Sequence, residues 1–336
     1  MRNEREILGR LESYFLEPSE RLGQHFLINE GIIGGLSASV IVGSKVIEVG
    51  SGIGHVTEVL AQRAGSVIGI EIDKRFQPIL EGIQERNKKV RFIFGDVLRV
   101  QLDSLIDRGE EAQVVANLPF HITEPFMHKL IDLPISNAVL MLGDSAAREF
   151  QEPESSMGFG KLSLLGQTFF ESRVLAQVPR EAFYPQPRTD AVVMEFNPKD
   201  RREIEANAAD YVFAYLFRRA GRFGLVINDM KQALVEASQK GSNSDLSKRE
   251  SHRRDRSNVR RELKQMLGEY NGSKDTSVFQ NHNGGKRGGT IVSQSQALNV
   301  IGRMGIPESV LGKPFFRLDN QDIRELTVAV REFYSR

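Results

Sequence analysis

Within the first 130 residues, four short apolar runs alternate with stretches of helical spacing: 45–49, 66–70, 90–94 and 112–116. Runs of this length, each separated from the next by room for a helix, read as strands of a parallel sheet, because parallel neighbours need a crossover and cannot be joined by a tight turn. Each run ends in a residue with chemistry to offer: Gly50, Glu71, Asp96 after Gly95, and Asn117. In open α/β sheets ligands bind outside the carboxyl ends of the strands. The four ends therefore collect at one sheet edge, and the fold class expected is α/β.

The first end continues as Gly50-Ser51-Gly52-Ile53-Gly54, with Val56, Val59 and Leu60 at helical spacing behind it over 55–64. Glycines let the backbone pass close to a ligand at positive φ, and a helix amino terminus adds N–H donors. The GxGxG spacing differs from the dinucleotide fingerprint, and no Walker lysine follows, so a P-loop NTPase is disfavoured. Glu71, about 20 residues on, stands where an acid binds both ribose hydroxyls. It comes before Asp73, and its alternative is a solvated carboxylate capping the next helix. Asp96 is placed to accept the exocyclic amine of an adenine, or else is a turn aspartate.

The fourth end is the tetrapeptide Asn117–Leu118–Pro119–Phe120. Asn117 offers an amide oxygen to a planar amine, Pro119 fixes the direction of neighbouring carbonyls, and Phe120 offers a stacking face for a base. Taken together with the preceding strand ends, this fits a pocket that methylates the exocyclic amine of a base from an adenosyl donor.

The 336 residues are 40% apolar, enough for one large or two ordinary domains. A formal charge of +1 confines any nucleic-acid surface to local patches. The absence of cysteine excludes disulfides, thiolate metal sites and cysteine nucleophiles, and no metal is expected. Apolar runs fall well short of the roughly 20 residues of a membrane helix. The charged opening stretch is not a secretory signal. A soluble cytoplasmic protein without a membrane partner is expected. Residues 1–20 read as a leading helix, 21–29 (RLGQHFLIN) as a loop with a packed aromatic, and 32–42 as a second helix.

These motifs resemble, in order, those of the KsgA/Erm family of ribosomal RNA adenine dimethyltransferases. LGQHFL resembles the LGQNFL opening, VIEVGSGIGHVT the glycine motif EIGPGxGxLT, and IGIEID and FIFGDVL the second- and third-strand acidic motifs. NLPFHIT resembles the target motif, and GFGKLSLLGQ and FYPQPRTDAVVMEF two later segments, as does the carboxyl-terminal stretch 302–330. The resemblance implies a Rossmann-like domain using S-adenosyl-L-methionine, followed by a small helical domain. It implies cofactor contacts at Gln24, His25, Leu27, Gly50, Gly52, Glu71, Asp96 and Asn117. It implies an adenine held by Asn117, Pro119 and Phe120, with Phe183 as a second aromatic facing the base. The implied partner is ribosomal RNA or a ribosomal-subunit precursor, met by a monomer. The sequence departs from the pattern at His25 (usually Asn), Ser51 (usually Pro), Phe120 (usually Tyr), Gly143–Ser145, Thr189 and Ala191. Serine in place of proline should loosen the glycine turn.

The domains expected are 1–198, methyltransferase with an N-terminal extension, and 199–336, helical and RNA-binding. Arg218, Arg219 and Arg222 form a basic cluster for phosphates or an ordinary solvated helix end. Residues 238–296, rich in Ser, Asn, Gly, Lys and Arg, read as a largely disordered basic insertion with a short helix at 259–270. Small-subunit and large-subunit RNA stay equally open as substrates. Two other readings stand beside them: a non-catalytic RNA-binding protein that keeps the fold, and a DNA adenine methyltransferase, which Leu118 disfavours.

Overall fold

The computed structural model describes residues 2–219, 224–239 and 293–335. Arg222, most of the insertion and its expected helix lie outside the described residues, as does the side chain of Phe120. The chain divides into two compact units, one of residues 1–151 with 170–198 and one of 152–169 with 199–336. Residues 152–169, read from sequence as part of the first domain, thus group with the second unit.

The first unit is built on nine strands: β1 Phe26–Leu27, β2 Lys45–Val49, β3 Ser66–Glu71, β4 Val90–Phe94, β5 Ala112–Asn117, β6 Ile135–Gly143, β7 Phe170–Val178, β8 Phe183–Tyr184 and β9 Ala191–Pro198. Seven of them form one sheet in the order β4-β3-β2-β5-β6-β9-β7, while β1 and β8 pair separately. The first five sheet strands are parallel, and β9 and β7 close one side antiparallel. This is a Rossmann-like α/β sheet. Its strand order reverses between β2 and β5, where crossovers leave to opposite sides and a crevice opens.

Register brings the reactive ends level. Val49 lies beside Ile70 and Ala116, Glu71 beside Phe94, and Asn117 beside Met141. The centre of the sheet is apolar on both faces, with Val46, Ile47, Val67, Val114 and Leu140 fully buried, as parallel strands covered by helices require. Helices α1 Arg2–Ser13, α2 Glu30–Ala38, α3 His55–Leu60, α4 Gln77–Arg86, α5 Thr123–Leu130 and α6 Asp144–Gln151 complete the unit. Three helices end before their expected limits. α1 stops at Ser13, where Phe15 takes φ +52° and the Leu16 N–H returns to the Leu11 carbonyl. Ser39 caps α2 by returning its N–H to Gly35 and its hydroxyl to Leu36. α3 gives way to turns that bring Gly65 back to the Ser44 carbonyl, so β3 can start beside β2.

The regular elements among the described residues of the second unit are helices, with an isolated bridge between Leu225 and Pro314. Its core gathers Phe213, Leu216, Phe217, Met230, Val300, Ile301, Phe315, Ile323 and Leu326, with Phe217 set edge-on to both Phe169 and Phe315. Arg331 ties the final helix, Asn320–Ser335, to Glu154 at 2.9 Å and to Asp210 at 2.8 Å, and lies over the Phe213 ring.

Candidate active site at the carboxyl edge of the sheet

A cavity of about 240 Å³ opens at the carboxyl ends of β2, β3, β4 and β5. Gln24, His25, Leu27, Gly50, Gly52, Glu71, Asp96, Asn117 and Pro119 all line it. Phe183 does not. It is 3% exposed and pairs with Leu27 across the β1–β8 ladder, where it belongs to the core beneath the opening loop. The base-facing role expected of it therefore has no support from this cavity: the short ladder that fixes Leu27 at the wall turns the Phe183 ring inward.

The glycine turn is shaped by close approach. Gly52 sits at φ +55°, and a Cβ there would stand 3.0 Å from the Phe26 ring. Gly50, at φ +78°, would place a Cβ 3.1 Å from the Asn117 carbonyl. Only glycine takes both conformation and proximity without strain. The Gly52 N–H donates to Glu71 Oε2 at 2.7 Å, and the Asp73 N–H to Oε1 at 2.8 Å. Glu71 is 5% exposed, and burial raises its carboxyl above the ordinary range against the pull of these two donors. Its two oxygens keep lone pairs for ligand hydroxyls. Burial also opposes the charge of Asp73, but the donors Arg75 and Gln24 outweigh it and hold that carboxyl low. Gln24 bridges the Ser19 N–H and Asp73, each at 2.7 Å, so it anchors the opening loop to the end of β3.

The fourth strand end has a definite orientation. Asn117 Nδ2 donates to the His25 carbonyl at 3.2 Å, while Oδ1 accepts no hydrogen bond from the described residues. His25 is itself held, its Nδ1–H donating to the Pro185 carbonyl at 2.7 Å. The Pro119 carbonyl accepts the Ile122 N–H at 3.0 Å, closing the turn Phe120–Ile122, and keeps its second lone pair. Asp96 Oδ1 accepts the Leu98 N–H at 2.9 Å, which leaves Oδ2 3.6 Å from the Arg99 guanidinium.

Several lining residues escaped the sequence reading. Ile72, half-exposed beside Glu71, and Val97 beside Asp96 give the cavity apolar walls. Nothing in sequence marks them beyond their place one residue after a strand-end acid. Glu48 and Ser51 are buried in the wall between β2 and β3, where the Ser51 N–H donates to the Ile70 carbonyl and its hydroxyl to Glu48. His55 stands at the start of α3 with Nε2 3.0 Å from the Leu27 carbonyl. Part of its ring borders the cavity, yet Nδ1 is buried without a partner, and burial lowers its pKa to about 4. Among the described residues no group of acids and histidines could hold a metal, and no helix is long and apolar enough to cross a membrane.

The donor set suits an adenosyl ligand: paired carboxylate oxygens for vicinal hydroxyls, a glycine cradle that any Cβ would fill, and apolar walls. Comparison with known proteins bears on the same edge. A dimethyladenosine transferase from Plasmodium falciparum, in its crystal structure, shares the fold at a TM-score of 0.51 and 19% identity, over 92% of this chain and 98% of that one. Among curated proteins, the ribosomal RNA small subunit methyltransferase A of Oceanobacillus iheyensis is 33% identical over 62% of this chain and 73% of its own length. That of Bacillus licheniformis is 33% identical over 66% and 80%. The family model described as ribosomal RNA adenine dimethylase matches residues 17–247, a span that contains every strand end just described, and the chain belongs to that family.

Proposed function

We propose that this chain transfers methyl groups from S-adenosyl-L-methionine to the exocyclic amine of adenine in ribosomal RNA of the small subunit, adding two. The observation that carries the proposal is the pinned amide of Asn117. Its N–H is committed to the His25 carbonyl, so the oxygen is left as an acceptor beside the ribose-type carboxylate and the glycine cradle.

When bound, the cofactor supplies an electrophilic methyl with a neutral leaving group, so acid catalysis of departure is not needed. The task left to the chain is the nucleophile, because an adenine amine delocalises its lone pair into the ring. Asn117 Oδ1 and the free lone pair of the Pro119 carbonyl accept the two amine hydrogens. This turns the nitrogen lone pair out of the ring plane and stabilises positive charge as it develops on nitrogen. Phe120 holds the ring by stacking, worth roughly 1–3 kcal/mol per base. The amine becomes acidic on methylation and loses its proton without a dedicated base.

Glu71 takes the ribose hydroxyls, Asp96 the adenine amine of the cofactor, and Ile72 and Val97 the faces of its base. The reading takes the chain as a monomer, working in the cytoplasm on ribosomal RNA or a subunit precursor. Small-subunit RNA is preferred because the two curated relatives named above carry it in their names. The test is incubation with labelled S-adenosylmethionine and, separately, small subunits, large subunits, naked RNA and DNA, followed by mapping of the label. Dimethyladenine in small-subunit RNA is expected. Label only in large-subunit RNA or in DNA would overturn the substrate, and cofactor binding without label anywhere would make this a non-catalytic RNA-binding member.

A further inference from the structure

Ser51 stands where the resembling motif has proline, and its side chain makes a contact that proline cannot. The hydroxyl donates to Glu48 Oε2 at 2.8 Å, and Thr57 Oγ1 donates to the same oxygen. Ser51 is 2% exposed and Glu48 3%, and both line the cavity. The other oxygen, Oε1, accepts nothing from the described residues. Room for the hydroxyl exists because the residue paired with Glu48 on β3 is Gly69, where a Cβ would lie 2.4 Å from Ser51 Oγ.

We propose that Ser51 is a positioning residue which, with Thr57, saturates one oxygen of Glu48 and so favours its ionised form, leaving the second oxygen to a cationic group of the ligand. The inference rests on the S-adenosylmethionine reading, since that ligand carries an ammonium and a sulfonium. A hydroxyl that donates to a carboxylate stabilises the charged form, whereas burial and a neighbouring carboxylate oppose it. Here burial first, with Glu71 behind it, outweighs both hydroxyls and brings the Glu48 carboxyl up to about 7. Loss of one hydroxyl therefore moves the carboxyl further towards its neutral form. The charged or titratable groups on the cavity wall with it are Glu71 from β3, His55 at the start of α3, and Asp96, Arg21, His25 and His121. His55 is neutral throughout this range.

The test is calorimetric binding of S-adenosylmethionine between pH 6 and 9 to the wild type, S51A, E48Q and S51A/E48Q. Wild-type affinity should rise about tenfold from pH 6 to pH 8 as Glu48 ionises. In S51A the midpoint should move up by about one pH unit, so that binding is about fivefold weaker at pH 7 and recovers by pH 9. E48Q should bind weakly without this titration, and S51A should add nothing in its background. S51P, the residue of the resembling motif, should match S51A and serves if S51A does not fold. A loss in S51A that is equal at every pH, or no change at all, would show a packing role and overturn the proposal. Absence of binding by the wild type at every pH would overturn the cofactor reading and this inference with it.

Discussion

Asn117 works only as an amide, because its two ends do opposite things. The nitrogen donates to a carbonyl and the oxygen is left to accept. Asn117→Ala should abolish methyl transfer while cofactor affinity falls without being lost. Asn117→Asp should be no better, since it sets a carboxylate oxygen against the His25 carbonyl. Transfer by either variant at the wild-type rate, read by label incorporation, would remove Asn117 from the chemistry. At Phe120, Tyr should be well tolerated and Leu should be poor, because the ring face rather than the apolar volume does the stacking. At this scale polar residues were legible in sequence when they ended a strand, as Glu71, Asp96 and Asn117 do. Apolar lining residues such as Ile72 and Val97 were not, because a hydrophobic side chain looks the same in sequence whether it faces a core or a cavity. Phe183 shows the converse, an aromatic in a suggestive motif that the β1–β8 pairing places in the core.

Among the elements, the glycine turn carries the greatest constraint. Gly52→Ala would force a side chain into the left-handed region and within 3.0 Å of the Phe26 ring. A loss of about 1–2 kcal/mol in urea denaturation is expected, together with weakened cofactor binding because the Gly52 N–H helps to orient Glu71. Unchanged stability and binding would mean that the ring yields freely. The parallel strands and their order of appearance were legible because β-branched runs separated by helical spacing admit few other folds. The ends of α2 and α3 were less so, since apolar residues continue past both helices and the hydrogen bonds that stop them come from turns. The grouping of 152–169 with the helical unit could not be read at all. Its ties to that unit come through residues distant in sequence, such as Arg331 with Glu154 and Arg324 with the Met157 carbonyl.

Over the whole molecule, electrostatics set two balances. The first concerns stability against pH in the ligand-free protein. Glu48 titrates near 7 when folded but at its ordinary 4.5 when unfolded, so the folded state holds a proton the unfolded state has lost, and stability falls as pH rises from 4.5 to 7. His55 acts in the opposite direction: its folded value near 4 lies below the ordinary 6.5, so stability falls as pH drops from 6.5 towards 4. The two slopes oppose each other between 4.5 and 6.5. E48Q should therefore gain stability over the wild type by roughly 1 kcal/mol per pH unit between pH 4.5 and 7 and then level off. Urea titrations at pH 5, 6, 7 and 8 would measure it, and a difference independent of pH would show that Glu48 is ionised throughout.

The second balance is the distribution of charge along the chain. Residues 238–296 hold twelve Lys and Arg against six Asp and Glu, so this segment carries +6 and the remaining 277 residues carry −5. A polyanionic substrate meets a chain whose net positive charge is concentrated in one stretch of sequence. Affinity that depends on neutralising phosphates falls with salt at a slope of roughly 0.7–0.9 per phosphate contacted. If the segment supplies such contacts, removing 240–292 should weaken binding to ribosomal RNA and lower the slope of log affinity against log salt by about 3–5. Cofactor affinity should be unchanged, because the described residues that line the cavity all fall between Arg21 and Ile122. Equal affinity and equal slope in the shortened protein, measured at several salt concentrations, would show that the segment makes no phosphate contacts. The RNA would then have to be gripped by local clusters such as Arg218 and Arg219 on a chain of net negative charge.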